Sequence, residues 1–200
     1  MNNYTYEVRN GIYINLTNRC SNTCEFCIRN NGEGVYGSDS LWLEKEPTSQ
    51  EVIDELKKYD ISKFSEIVFC GYGEPTYCLN EICEISKYIK ANYNIKIRIN
   101  TNGQGNLIHG YDITPRFEGI IDTLSISMNT AAAEEYFKLC KPEFGIGTFN
   151  EVLNFGKKAS KYVNEIIFSV VDTTIPAEDI ALCEKLAREN CGILRVRTLD

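Results

Sequence analysis

IYINLTNRCSNTCEFC, residues 12–27, runs two patterns together. Ile12, Ile14 and Leu16 alternate with Tyr13, Asn15 and Thr17, the period of a half-buried strand. Cys20, Cys24 and Cys27 follow at spacings of four and three. The cysteines therefore stand at the C-terminal end of a strand, and what accompanies that strand decides what the end is for.

Working outward, residues 48–59 (TSQEVIDELKKY) open with a capping box, Thr48 to Glu51, and carry apolar residues at 52, 53, 56 and 59, a helical spacing. Residues 65–70 (SEIVFC) read as a strand and 79–93 as a helix. The order recurs with strands at 94–100, 121–127, 165–172 and 193–199. Between them lie a short turn near TPRFEG and helices at 131–140, 149–163 and 176–190. Six strands alternating with helices predict an α/β fold with a parallel sheet, whose functional groups sit at the C-terminal strand ends. Two more glycine-containing loops share that rim with the cysteines: CGYGEPT (70–76) and NTNGQGN (100–106).

Strands covered by helices on both faces read as continuous apolar runs. Here Ile95, Ile97 and Ile99 alternate with Lys96, Arg98 and Asn100, and Leu124, Ile126 and Met128 with Ser125, Ser127 and Asn129. Leu194 and Val196 alternate with Arg195 and Arg197. One apolar face under helices and one polar, partly cationic face predict a curved, barrel-like sheet around a ligand. The second and fifth strands are more uniformly apolar.

Composition narrows the class. Two hundred residues suit one domain, and 43% hydrophobic with 24% charged residues suit a soluble chain with a sizeable core. The net charge of −7 and the lack of a Lys/Arg cluster speak against a large nucleic-acid footprint. No apolar run approaches the roughly 20 residues that span a bilayer, and MNNYTYEVRN lacks the apolar segment of a secretory signal, so a cytoplasmic protein is expected. Nine cysteines, an odd number, favour free thiols and metal ligands over a disulfide framework.

A structural zinc site usually takes four ligands in two separated pairs, and a redox dithiol takes one close pair. C-x3-C-x2-C is neither. Three thiolates can hold three irons of a [4Fe–4S] cluster and leave the fourth open; the alternatives are buried thiols or a partial zinc site.

Cys20-Ser-Asn-Thr-Cys24-Glu-Phe26-Cys27 after a first strand resembles the signature of radical S-adenosylmethionine (SAM) enzymes, and Gly71-Tyr72-Gly73-Glu74-Pro75 resembles that superfamily's glycine–glutamate motif. The resemblance spans nearly the whole chain, read as a single domain over 1–200. It implies a partial (β/α)6 barrel with a parallel, curved six-stranded sheet. NLTNRCSNTCEFCIRN, LWLEKEPT, FCGYGEPT, INTNGQGNLIHG, LSISMNTA and LCKPEFG are similar, more finely, to the TatD-associated radical SAM proteins. The resemblance implies a cluster on Cys20, Cys24 and Cys27, with SAM on the open iron. Reductive cleavage would give a 5′-deoxyadenosyl radical that takes hydrogen from a substrate. Phe26 would lie near adenine, and Gly71, Gly73 and Glu74 would receive the methionine amino group. Ser127, Asn129, Thr101 and Asn102 would contact ribose or carboxylate. Arg195 would meet the SAM carboxylate, with other arginines free for an anionic substrate. An external one-electron reductant of flavodoxin or ferredoxin type is implied.

Each residue has a plainer reading beside it. Gly71 to Pro75 could be a strand-to-helix turn and Asn102-Gly103 an ordinary turn pair. Ser127 and Asn129 could cap the next helix, and Arg98, Arg195 and Arg197 could be structural ion pairs. His109, the one histidine, reads as a surface or packing residue. Cys70, Cys78, Cys83, Cys140, Cys183 and Cys191 show no tight repeat, so one cluster is expected. Residues 28–47, with Trp42, are long for a connection and read as a lid over the cluster. The competing function is an iron–sulfur electron carrier or sensor without SAM chemistry.

Overall fold

Each of the six alternating stretches forms a strand in the computed structural model, which describes residues 2–30, 37–173 and 175–198. The strands are β2 (Gly11–Ile14), β3 (Glu66–Phe69), β4 (Lys96–Thr101), β5 (Thr123–Ser127), β6 (Glu165–Val171) and β7 (Ile193–Arg197). They pair in parallel and in chain order. The helices are α1 (Ser49–Leu56), α2 (Leu79–Asn92), α3 (Gly105–His109), α4 (Ala133–Cys140), α5 (Thr148–Ala159) and α6 (Ile180–Glu189).

The registers turn sequence alternation into two faces. Ile14, Phe69, Ile99, Leu124 and Ile166 are successive cross-strand partners, all buried in the main core beneath the helices. Each contributes about 1.5–3 kcal/mol by leaving water. The neighbouring row on the other face is Tyr13, Val68, Arg98, Thr123 and Glu165. Further along, Ser127, Ser169 and Arg195 form a row at the C-terminal end. The inner face is thus polar, as the alternation predicts.

A seventh strand, β1 (Thr5–Val8), pairs antiparallel with β2 and extends the predicted six-stranded sheet. Its hairpin turns at Arg9 and Asn10, with Arg9 at φ +52°. The alternating Tyr4, Tyr6 and Val8 are the local signal for it. β1 pairs only with β2 and β7 only with β6, so the sheet is unclosed. Among the described residues, no helix is long and apolar enough to cross a membrane.

The capping box at α1 forms in full. Thr48 Oγ1 accepts from Glu51 N at 3.2 Å, and Glu51 Oε2 accepts from Thr48 N at 2.9 Å. Thr48→Ala is expected to cost about 1 kcal/mol, read as a lower urea midpoint at unchanged m. Lys45 first, and then the Thr48 bonds, hold the Glu51 carboxyl at about 2, below its ordinary 4.5. Its stabilisation is therefore present above pH 4.5 and fades as pH falls through 2, so Glu51→Gln should flatten that acid limb.

Candidate cofactor site at the C-terminal rim

The loop after β2 is tied to the segment at the end of α4, where Asn22 forms a single antiparallel bridge to Pro142. Thr23 N donates to Cys140 O at 3.1 Å and Glu25 N to Leu139 O at 3.4 Å, so the carbonyls left over at the end of α4 hold the cysteine loop. Glu143 N donates to Ser21 O at 3.0 Å from the far side. Cys20, Cys24 and Cys27 emerge half-buried on one wall of a 720 Å³ cavity, with Phe26 beside them. Among the described residues, no three metal-ligating side chains converge at single-ion distance. Three thiols on one loop at the cavity are donors of the kind that iron–sulfur clusters take. Burial pushes the Cys20 thiol up to about 12. Its hydrogen-bonded approach to Cys140, and then burial, raise Cys24 as well. Ligation must drive these protons off.

The glycine–glutamate stretch packs directly behind that loop. A Cβ on Gly73 would lie 2.3 Å from Thr17 O and 2.6 Å from Arg19 O, and one on Gly71 would lie 2.0 Å from Asn15 Oδ1. Only residues without Cβ allow this approach. Glu74 N donates to Arg19 O at 2.7 Å, which fixes the two loops together. The Glu74 side chain is buried and takes four hydrogen bonds. Oε1 accepts from Thr76 N (3.1 Å), Thr76 Oγ1 (2.7 Å) and Thr101 Oγ1 (2.7 Å), and Oε2 accepts from Asn102 N (2.6 Å). Burial outweighs those bonds and raises its pKa.

Of the residues singled out in the sequence, Cys20, Cys24, Cys27, Phe26, Gly71, Asn102, Ser127, Asn129 and Arg195 line the one cavity. Gly73, Glu74 and Thr101 stand one layer behind its wall. Asn102 Nδ2 donates to Ser21 Oγ at 2.9 Å and reaches Cys20 Sγ at 3.9 Å. Asn129, at φ +62°, donates through Nδ2 to Cys140 Sγ at 3.4 Å, while its buried Oδ1 meets no protein donor. Neither Ser127 nor Asn129 caps α4, whose cap position is Ala132.

Arg98 is the structural ion pair of the plainer reading. It holds Glu66 bidentately at 3.0 and 2.6 Å and donates to Asn100 Oδ1 and Tyr13 OH. His109 Nε2 donates to Thr76 O at 2.7 Å and packs on Tyr111, a packing role. In the 28–47 segment, Ile28 and Leu41 line the cavity, and Trp42 stacks edge-on against Tyr72 at 5.1 Å. Positions 31–36, where the expected lid centres, lie outside the described residues.

Sequence reading missed a buried amide network under the cysteine loop. Gln104 Nε2 donates to Asn22 Oδ1 at 2.7 Å and to Tyr136 OH at 3.0 Å, and Asn22 Nδ2 also reaches that hydroxyl at 3.3 Å. Gln104 sits in the NTNGQGN loop, where a polar residue among glycines was the available signal. Cys70 and Asn100 also face the cavity and were not singled out for it.

A curved parallel sheet with three thiols and a glycine-lined approach at one rim defines an α/β cofactor-binding domain. The chain belongs to the Radical SAM superfamily, whose family model matches residues 14–196. Members of that superfamily use a [4Fe–4S] cluster and SAM. The sequence is 25% identical over 160 residues to an uncharacterized protein of Methanocaldococcus jannaschii, covering 78% of this chain and 46% of that one. The fold is similar to Streptococcus suis SuiB bound to S-adenosylmethionine, with TM-score 0.66, 16% identity, and 91% of this chain and 39% of that one covered. It is also similar to a radical SAM methyltransferase from Sphaerobacter thermophilus, with TM-score 0.63, 13% identity, and 97% and 57% covered. This chain spans about half or less of the first two proteins' lengths, and the structural likenesses speak for the fold alone.

Proposed function

We propose that this chain is a radical SAM enzyme that holds one [4Fe–4S] cluster on Cys20, Cys24 and Cys27 and acts on a substrate by hydrogen abstraction. When bound and reduced, the cluster supplies the electron that cleaves SAM to methionine and a 5′-deoxyadenosyl radical. The observation that carries the reading is the shared cavity: three thiols on one wall, facing a polar sheet surface with an unsatisfied acceptor. Phe26 flanks the adenine. The backbone at Gly71 admits the methionine end, and Gly73, Glu74 and Thr101 brace that passage from behind. Asn129 Oδ1, buried without a donor, receives a ribose hydroxyl or the amino group. Arg195, level with Ser127 across the sheet, receives the SAM carboxylate. A group of TatD-associated type is supported by the phrases quoted above, and a cytoplasmic location by the number of unpaired cysteines. One domain over 1–200 and an external flavodoxin- or ferredoxin-type reductant complete the proposal.

Anaerobic reconstitution with iron and sulfide, reduction with dithionite and addition of SAM should yield 5′-deoxyadenosine by mass spectrometry. Bound iron and sulfide without SAM binding or cleavage would return the protein to the electron-carrier reading.

A further inference from the structure

The cavity holds more positive charge than SAM can account for. Arg98, Arg195 and Arg197 line it, and among the described residues its one lining carboxylate, Glu66, is already taken bidentately by Arg98. The Arg195 and Arg197 side chains make no hydrogen bond or ion pair among the described residues, although they share one face of β7 two residues apart. Like charges so placed repel, and the chain as a whole carries −7. Both side chains are exposed and open to an anion from outside.

SAM answers only part of that positive charge. It brings one carboxylate, but also an ammonium and a sulfonium, so it adds net positive charge, which the negative cluster offsets. With Arg195 engaged by the SAM carboxylate, Arg197 remains. Its register partner is Val171, which offers no charge. Arg197 lines the cavity together with Cys70 at the end of β3, Asn100 and a tyrosine surface of Tyr6, Tyr13 and Tyr72. A guanidinium fork matches the paired oxygens of a carboxylate or phosphate, and 720 Å³ lies within the range of small-molecule sites, about 300–1,000 Å³.

We propose that Arg197 binds the anionic group of the substrate, a small molecule bearing a carboxylate or a phosphate. That group docks on β7, and the body of the molecule extends over the tyrosine surface toward the cysteine loop. The assignment of the second occupant rests on the radical SAM reading.

The test uses the cluster-reconstituted chain with saturating SAM, titrated calorimetrically with inorganic phosphate and, separately, succinate against ionic-strength-matched chloride. The expected result is that one of the two binds alongside SAM, its identity distinguishing phosphate from carboxylate substrates. Arg197→Gln should weaken that binding at least tenfold while SAM affinity stays within twofold, and Arg197→Lys should restore part of it. Near-UV circular dichroism checks that each variant is folded. The proposal is overturned if neither anion binds with SAM present, if Arg197→Gln leaves anion binding unchanged, or if that variant weakens SAM tenfold. If the reconstituted protein binds no SAM but still binds the anion through Arg197, the anion site stands and the radical SAM reading fails.

Discussion

Cys24→Ala should reconstitute with background levels of iron and sulfide and release no 5′-deoxyadenosine above a cluster-free control. The loss is expected to be one of ligation and not of folding. Cys24 is half-buried, and its loop is pinned by backbone bonds from Thr23 N and Glu25 N to the end of α4, which do not depend on the thiol. Loss of an outer partner of a metal ligand commonly costs 10–100-fold, so removing a ligand outright should exceed that. Cys20→Ala and Cys27→Ala should behave alike. Cys183, buried in the core as a small apolar side chain, and Cys191, exposed after α6, supply the contrast. Their alanine variants should keep full cluster content. Asn102→Ala removes the amide that reaches Cys20 Sγ and should weaken the cluster by an intermediate amount. A full cluster in Cys24→Ala would remove the triplet from the metal site.

The fold was legible where the sequence had a period to show. Alternation in 12–17 and 94–100 separated the helix-facing isoleucines from the residues that now line the cavity, and the Thr48–Glu51 box marked the start of α1 within a residue. The position of the cysteines after a strand carried most of the site. What stayed hidden is held by contacts between distant residues, which no local pattern records. Gln104 and Asn22 lie 82 positions apart, Asn22 and Tyr136 lie 114 apart, and each reads singly as an ordinary polar residue. The same holds for Arg98, whose partner Glu66 is set by strand register and not by spacing along the chain. β1 is a different case. Its alternating Tyr4, Tyr6 and Val8 were present as a signal, but the first ten residues were weighed only as a targeting segment.

Glu74 is where a sequence motif and its physical work part most clearly, and its substitution tests which of two roles matters. Its carboxylate ties the turn after β3 to Thr101 and Asn102 after β4, and Asn102 in turn touches Ser21 and Cys20. The chain of contacts thus runs from the glycine–glutamate motif, behind the cavity wall, to Asn102 and Cys20, which line it. Glu74→Ala strands the Asn102 and Thr76 amides in a buried site and opens a void, at a cost on the order of 3–5 kcal/mol. For a chain of this length that is a fall in Tm of roughly 6–20 °C, and cluster content should fall with it. Glu74→Gln should cost much less. Its amide oxygen can accept from Asn102 N while its NH2 donates to the Thr76 and Thr101 hydroxyls, which can rotate to receive it, so that of the four bonds only the one from Thr76 N is lost. The pH dependence separates charge from shape. Because burial raises the folded pKa of Glu74 above its ordinary 4.5, the stability it contributes is present below pH 4.5 and is lost as pH rises through the folded value. Neither glutamine nor alanine ionises, so the gaps from wild type to Glu74→Gln and to Glu74→Ala should narrow by the same amount across that window, and the difference left between the two variants reports shape and hydrogen bonding alone. Equal stability of all three proteins by thermal unfolding would mean that Glu74 does not brace the loop and acts at the cofactor itself.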